Sequence, residues 1–189
     1  MASGAADPRR IYVTGVSNGG AMTMSLACRH GERFAAAASV IMALTPGMAA
    51  ACTPAPRLPM LLMNGTADPL IPYEGGRGRI GRGGTPYWST ADTLAFWRQA
   101  NGCEPGDAAI EALPDHDPRD GSTVTRIGSR CPANFDVQLV RIDGGGHRMP
   151  GREADARHPR SVDALLGRQN HDVDGPELIW AFFARFARP

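Results

Sequence analysis

The stretch RIYVTGVSNGGAM, residues 10–22, predicts a strand, a sharp turn and the start of a helix. Residues 10–15 are rich in β-branched and aromatic side chains and end in glycine, as buried strands often do. The following GVSNG matches G-x-S-x-G, in which a serine occupies a strained turn between strand and helix. Because Gly15 and Gly19 leave room for such a turn, Ser17 is a candidate nucleophile. A glycine-rich turn with a solvent-exposed serine is the alternative.

The apolar runs that follow predict a sheet that is covered on both faces. FAAAASVIMAL (34–44) and MLLMNG (60–65) are continuously apolar rather than alternating, which is typical of buried parallel strands. Two further strands are expected at 122–129 and 136–144, and helices at 17–30, 89–103 and 174–189. Strands that alternate with helices predict an α/β fold with a mostly parallel sheet.

Length and composition indicate one globular unit and do not favour nucleic acid or a membrane as its partner. The 189 residues suit a single domain, 1–189, and 42% hydrophobic with 21% charged residues is ordinary globular composition. A formal net charge of +1 does not favour binding to nucleic acid or to an anionic membrane. No run approaches the roughly 20 apolar residues that span a bilayer. Neither nucleic acid nor membrane is therefore expected as a partner.

Two later residues complete a possible acid–base set for Ser17. Asp68 follows the apolar strand MLLMNG, and His147 follows the strand DVQLVRIDG in a glycine-flanked loop. Ligand sites of parallel sheets lie at these carboxyl ends of strands, and hydrolases of this kind order the residues as serine, acid, histidine. The alternatives are a turn aspartate before Pro69 and a solvent-facing loop histidine. Two aspartates compete weakly for the acid position: Asp136 and Asp143. This chemistry needs no metal and no organic cofactor.

The four cysteines, Cys28, Cys52, Cys103 and Cys131, form no C-x-x-C pair, which argues against zinc or thioredoxin chemistry. An even number is compatible with two disulfides in any of three pairings, or with four reduced, buried thiols. Disulfides would imply an oxidising compartment.

Four segments together resemble the polyhydroxybutyrate depolymerase and feruloyl esterase-like hydrolases: RRIYVTGVSNGGAM, LLMNGTADPLIPYEGG, FWRQANGC and GGGHRMPG. The resemblance runs in order from residue 8 to the end of the chain. It implies an α/β-hydrolase fold and hydrolysis of small or polymeric esters, such as short-chain hydroxyalkanoate or feruloyl esters. Ser17 would be the nucleophile, Asp68 the orienting acid and His147 the base, while the Asn18 N–H would donate to the oxyanion.

The same resemblance implies the cysteine pairing and the location of the protein. The pairs would be Cys28–Cys52 and Cys103–Cys131, and the protein would be secreted or periplasmic. The first ten residues nevertheless lack the basic, apolar and small-residue regions of a signal peptide.

Two departures from the family pattern lead to further expectations. The family has strands and an oxyanion loop before the nucleophile strand, so we expect an N-terminally shortened domain with an open sheet edge. An open edge favours a homodimer or higher oligomer. Met149 stands where the family often has Trp, and Tyr87 and Trp88 are candidates for the substrate wall in its place, with core packing as the alternative for Trp88.

Two other functions remain open at this point. The chain could be a non-catalytic fragment or binding module that keeps the three residues without a working oxyanion hole. It could also be a serine peptidase or an acyltransferase, because the fold alone does not choose the chemistry.

Overall fold

The computed structural model describes residues 6–52, 55–79, 84–152 and 160–188. Its main sheet has six strands in the order β1-β2-β3-β8-β7-β6. The strands are β1 (Tyr12–Val16), β2 (Ala36–Val40), β3 (Met60–Gly65), β6 (Ala109–Ala112), β7 (Thr123–Gly128) and β8 (Val137–Asp143). A separate antiparallel ribbon pairs β4 (Gly76–Arg77) with β5 (Pro86–Tyr87). The helices are α1 (Asn18–His30), α2 (Pro46–Ala51), α3 (Thr90–Asn101), α4 (Arg160–Leu166) and α5 (Gly175–Phe183).

The four strands β1, β2, β3 and β8 are parallel, which confirms the mostly parallel α/β sheet expected from the apolar runs. Every residue of β2 and of β3 is buried. Strands of this kind need apolar cover on both faces, and helices provide it. The expected strand at 34–44 is shorter in the structure because Ile41 takes a positive φ of 47°, which ends the extended backbone.

Side chains of β3 alternate between two apolar cores. Met60 and Leu62 pack with residues of α1 and α3 on one face. Leu61 and Met63 pack with the phenylalanines of α5 on the other face. This period of two places α1 and α3 on one side of the sheet and α5 on the opposite side.

Helix termini follow local sequence signals, with one exception. The Ser89 side chain accepts from Asp92 N and Asp174 accepts from Glu177 N, so both residues are the N-caps of α3 and α5. Gly102 ends α3 in the left-handed conformation, with φ 72°. α1 also ends before a glycine, Gly31, but the φ of this residue is −54° and it begins a short 3₁₀ turn.

Five elements were not expected from the sequence: the two short strands of the β4–β5 ribbon, β6, α2 and α4. β6 adds an antiparallel strand beside β7, and β7 is itself antiparallel to β8, so one end of the sheet is mixed. α2 and the short α4 lie in stretches that carry no strong helical pattern.

Two disulfides join the cysteines in the pairing that the family resemblance implies. Cys28 at the end of α1 bonds to Cys52 after α2, and Cys103 after α3 bonds to Cys131 after β7. In the described part of the chain, no helix combines the length and apolar character that crossing a membrane requires.

Candidate active site

Ser17 lies in a strained turn between β1 and α1. Its φ of 55° and ψ of −116° are unusual for a residue with a side chain, and strain of this kind concentrates at functional sites. The turn is held by a hydrogen bond from Ser17 N to Val40 O, 2.9 Å long. It also depends on a close approach of two glycines: a β-carbon added to Gly15 would lie 2.3 Å from the carbonyl group of Gly19. The local sequence therefore sets the serine at the tip of the turn.

Asp68 lies in the loop that leaves β3, with its side chain buried. Its Oδ1 accepts hydrogen bonds from Leu70 N at 2.8 Å and from Ile71 N at 2.9 Å. These two bonds fix the carboxylate and satisfy one of its oxygens, so Oδ2 is directed at another partner.

That partner is His147, which is buried in the loop after β8. Its Nδ1 lies 2.7 Å from Asp68 Oδ2, and its Nε2 lies 2.7 Å from Ser17 Oγ. An ionised carboxylate can only accept, so Nδ1 carries the proton and donates to Asp68. Nε2 is then an acceptor, and the Ser17 hydroxyl donates to it. Residues that are 79 and 130 positions apart in the chain thus form one continuous hydrogen-bonded line.

The start of α1 lies directly beside Ser17. Asn18 is the first residue of this helix, and N–H groups of a first turn have no acceptor within the helix. The helix dipole also places partial positive charge at this end. Asn18 N–H is therefore a candidate donor to an anion that forms next to Ser17 Oγ.

A buried amide supports the turn from behind. Asn64 is a polar residue in the wholly buried β3; its Oδ1 accepts from Met42 N at 3.1 Å, and its Nδ2 donates to Met42 O at 3.2 Å and to Thr90 Oγ1 at 3.0 Å. These bonds hold the loop after β2, in which Ile41 takes its positive φ. The same loop contacts α1, since a β-carbon on Gly20 would lie 2.9 Å from Met42 Cβ. An asparagine inside the apolar run MLLMNG was the available signal for this role.

The three proposed wall residues lie in different surroundings. Tyr87 packs its ring over Gly78, where an added β-carbon would lie 2.5 Å from Tyr87 Cε2. Trp88 contacts Phe96 edge-on, at 6.0 Å between ring centroids. It also lines an open, mostly apolar cavity of about 660 Å³ with small residues of α2. Met149 packs with the core beneath α5, where its sulfur would lie 2.5 Å from a β-carbon on Gly175.

The segment before α5 also contacts the site and was not anticipated. His147 N donates to Leu166 O at 2.6 Å, and Gly146 N donates to Arg168 O at 2.8 Å. These contacts use backbone carbonyls, which any residue can supply, so the sequence carries no direct signal for them. Among the described residues, no group of three or more His, Cys, Asp or Glu side chains is arranged to hold a metal ion.

Comparison with known proteins connects this geometry to a group of enzymes. Residues 1–44 match the prolyl oligopeptidase family model. The chain is 34% identical over 152 residues to the protein named "Putative esterase NocK" of Nocardia uniformis subsp. tsuyamanensis, which covers 77% of this chain and 44% of the relative. It is also 29% identical over 144 residues to feruloyl esterase B of Piromyces equi. That alignment covers 75% of this chain and 25% of the relative.

A third relative covers nearly the whole chain. Feruloyl esterase D of Neurospora crassa is 26% identical over 181 residues, or 95% of this chain and 49% of the relative. The chain spans less than half the length of the curated relatives that it matches. Esterase relatives, the family match of residues 1–44 and a mostly parallel sheet flanked by helices agree with one another, and together they support an esterase-like α/β-hydrolase family and fold.

Proposed function

We propose that this protein hydrolyses carboxylic esters through an acyl-enzyme on Ser17. The observation that carries the proposal is the pair of 2.7 Å contacts that join Ser17 Oγ to His147 Nε2 and His147 Nδ1 to Asp68 Oδ2. A nucleophile, a base and an orienting acid within hydrogen-bond reach of one another are what acyl transfer by serine requires. The esterase relatives support the same chemistry. Ser17, His147 and Asp68 would act as one catalytic unit.

The proposed reaction has two halves. His147 Nε2 takes the Ser17 proton while Oγ attacks the ester carbonyl, and the oxyanion of the tetrahedral intermediate accepts from Asn18 N–H. The imidazolium then gives its proton to the leaving alcohol, and the acyl group stays on Ser17. In the second half, His147 takes a proton from water, the hydroxide attacks the acyl carbon, and the acid leaves as the proton returns to Oγ.

Asp68 holds the histidine in the tautomer that this sequence of proton transfers needs. Because Leu70 N and Ile71 N already fix its carboxylate, the imidazole cannot turn without losing a hydrogen bond. The negative charge also stabilises the imidazolium that forms in each half-reaction.

A serine-directed probe tests the proposal directly. Labelling by a fluorophosphonate and hydrolysis of p-nitrophenyl acetate should both be lost in Ser17→Ala. The matched control is Ser25→Ala, which changes a serine within α1, the helix that follows Ser17, and should keep both activities. Esterase activity that survives Ser17→Ala would contradict the mechanism, and an unlabelled wild-type protein would favour a non-catalytic binding module.

The substrate class follows less directly, from the named relatives. Two of them are feruloyl esterases, so aryl-acrylate esters are the first candidates, with short-chain hydroxyalkanoate esters beside them. The match to the prolyl oligopeptidase family makes a peptide substrate the second candidate function. A panel of feruloyl esters, polyhydroxybutyrate and prolyl peptides, each compared as kcat/KM, would rank these classes. Acyl transfer to an alcohol in place of water would appear in the same panel as a new ester product.

We also propose that a second copy of the chain covers the β1 edge. Among the described strands, β1 and β6 are the two edges of the main sheet, and β1 pairs only with β2. Beside it, Trp180 of α5 is 63% exposed, and its ring contacts Tyr12 edge-on. An edge strand next to an exposed tryptophan is suited to an isologous contact that continues the sheet. Light scattering at micromolar concentration should give a dimer or larger oligomer that Trp180→Glu weakens, and a monomeric wild-type protein would refute this.

We further propose that the protein works in an oxidising compartment, either outside the cell or in the periplasm. The support is that all four cysteines are paired, since disulfides persist mainly in such compartments. Mass spectrometry of protein isolated under alkylating conditions should find no alkylated cysteine, and alkylation of any of the four would contradict the proposal.

A further inference from the structure

The segment that connects α4 to α5 runs alongside the loop that carries His147. Three hydrogen bonds join the two: His147 N to Leu166 O at 2.6 Å, Gly146 N to Arg168 O at 2.8 Å and Gly151 N to Asn170 O at 3.0 Å. Gln169 Nε2 adds a bond to Met149 O at 3.0 Å. These bonds fix the backbone on both sides of His147, so the place of the imidazole depends on the place of this segment.

Gly167 brings the same segment against the acid loop. Its φ is 77°, and a β-carbon there would lie 2.9 Å from Gly146 Cα, 3.4 Å from Ala67 O and 3.4 Å from Pro69 Cδ. Ala67 and Pro69 are the two neighbours of Asp68. The connection between α4 and α5 therefore touches the loops of the proposed base and of the proposed acid at one point.

Two buried side chains anchor this connection. Asn170 and Asp172 are 2% and 1% exposed. Asn170 Nδ2 donates to Asp172 Oδ2 at 2.7 Å and to Ser122 Oγ at 2.9 Å, and Asp172 N donates to Asn170 Oδ1 at 3.1 Å. The carboxylate and the amide thus form a locked pair in which every donor faces an acceptor.

The loop between β6 and β7 completes the anchor. Asp172 Oδ1 accepts from His116 N at 2.7 Å and from Asp117 N at 3.0 Å. Burial alone raises the pKa of Asp172, but the hydrogen bonds from Asp117 N, Asn170 and His116 N outweigh that effect and hold the pKa below its ordinary value. The Asp115 side chain adds a further hydrogen bond that lowers this pKa, so the hydrogen bonds together favour the charged form of Asp172.

A second carboxylate works in parallel with the first. Asp120 Oδ2 accepts from His171 N at 2.7 Å, and Asp120 Oδ1 accepts from Ser122 Oγ at 2.6 Å. Both carboxylates thus join the α4–α5 connection to the β6–β7 loop. None of the three site residues, Ser17, Asp68 and His147, lies in that loop.

We infer that Asn170 and Asp172 are positioning residues, which set the angle and distance of His147 to Ser17 through the Leu166–Asn170 backbone. The inference rests on the proposed function for its effect on rate. It gives the β6–β7 loop a role in the reaction, although that loop lies outside the site. A displacement of about 1 Å in a base can lower a rate by about 100-fold, so a loosened anchor should reduce kcat while leaving KM nearly unchanged.

The test is a donor–acceptor mismatch and its repair. Asp172→Asn places an amide opposite the Asn170 amide. A flip of the Asn170 amide would break the bond from residue 172 N to Asn170 Oδ1, and a flip of the new amide would break the bonds from His116 N and Asp117 N. The exchange variant, Asp172→Asn with Asn170→Asp, restores one donor and one acceptor across the pair. The matched control is Asn101→Ala, because Asn101 is another buried amide with three hydrogen bonds, to Leu58 N, Leu58 O and Phe135 O. Leu58 and Phe135 precede β3 and β8, so these bonds lie at the end of the sheet away from Asp68 and His147.

Steady-state kinetics and amide hydrogen exchange are the two readouts. Each variant is measured at the same number of degrees below its own melting temperature. Asp172→Asn should lower kcat about 10- to 100-fold with KM changed less than about twofold, and the exchange variant should recover part of that loss. NMR-detected hydrogen exchange at the Gly146 and His147 amides should become faster in Asp172→Asn but not in Asn101→Ala.

The outcomes separate positioning from stability. If Asp172→Asn is destabilised yet keeps wild-type kcat and slow exchange at Gly146 and His147, the two residues only stabilise the fold and the inference fails. An equal loss of kcat in Asn101→Ala would overturn it too. A wild-type protein without Ser17-dependent activity would refute the proposed function instead, and the exchange measurement would still decide whether the anchor holds the His147 loop.

Discussion

Replacing Gly15 or Gly19 with alanine should have very different effects, although both are required glycines of the G-x-S-x-G motif. A β-carbon on Gly15 would lie 2.3 Å from the carbonyl carbon and oxygen of Gly19 and 2.8 Å from its Cα. Among the described residues, a β-carbon on Gly19 itself would meet no atom within 4 Å beyond its chain neighbours and its own helix. The structure therefore predicts that Gly15→Ala damages the turn and that Gly19→Ala is tolerated.

The expected size of the effect follows from these distances. Carbon atoms in contact prefer roughly 3.5 Å or more, so Gly15→Ala is short by more than about 1 Å. Because the opposing atoms are backbone, the turn itself must move; such overpacking costs about 1–3 kcal/mol, or roughly 2–12 °C in Tm for a chain of this size. A shift of about 1 Å in Ser17 would also reduce kcat by about 100-fold. Gly19→Ala gains up to about 1 kcal/mol of helix propensity.

Calorimetry and hydrolysis of p-nitrophenyl acetate measure both effects. A short acyl group is used so that a methyl group at position 19 cannot obstruct a longer one. Gly19→Ala should keep the wild-type Tm or exceed it, and it should keep most of the activity. The reasoning is refuted if Gly15→Ala retains the wild-type Tm and kcat, or if the two variants lose stability and activity equally.

Three further predictions concern the acid, a disulfide and the buried anchor. Asp68→Asn should lower kcat by about 10⁴-fold with little change in fold, because it removes the acceptor that sets the His147 tautomer; steady-state kinetics with circular dichroism as the control checks this. Removing the Cys103–Cys131 bond, which links residues 28 positions apart, should lower the free energy of unfolding by about 2–4 kcal/mol in a urea titration. The pKa of Asp172 is depressed below 3.8 in the folded protein, so its ionisation contributes stability above that pH and loses it as the pH falls through the depressed value. The stability difference between wild type and Asp172→Asn should therefore shrink on acidification, and a constant difference across the titration would contradict the assignment.

The sequence predicted the parallel part of the fold because its signals are dense there. Buried strands such as 60–65 must be apolar on both faces, and this leaves a pattern that a single sequence shows. The helices expected at 89–103 and 174–189 begin at Ser89 and Asp174, residue types that favour the N-cap position, and both side chains cap their helices. Strand ends then placed Asp68 and His147 at one edge of the sheet, and the structure brings both to Ser17.

The elements that escaped prediction share a physical reason. All four residues of β6 are exposed, so this strand has no buried face and no alternating pattern. α4 leaves Leu165 61% exposed and therefore lacks an apolar stripe. Asn170 and Asp172 lie in a polar stretch that reads as surface loop, and only the folded chain shows that they are buried. When a side chain is buried by residues that are distant in the sequence, the local sequence pattern does not show that burial.

The proposed acid and base are held more directly to each other than either is to the nucleophile. β3 and β8 are neighbours in register, and a β-carbon on Gly65 would lie 2.3 Å from Gly145 O, so the loops that carry Asp68 and His147 meet at backbone contact. Ser17 comes from β1, and β2 lies between it and β3. The Asn64 side chain crosses that gap, since it reaches from β3 to Met42 on the loop that packs against α1. The 2.7 Å contact between Ser17 and His147 therefore depends on two separate supports, the Asn64 amide behind the nucleophile and the Asn170–Asp172 pair behind the base. Loss of either support should lengthen that contact while leaving the contact between Asp68 and His147 intact.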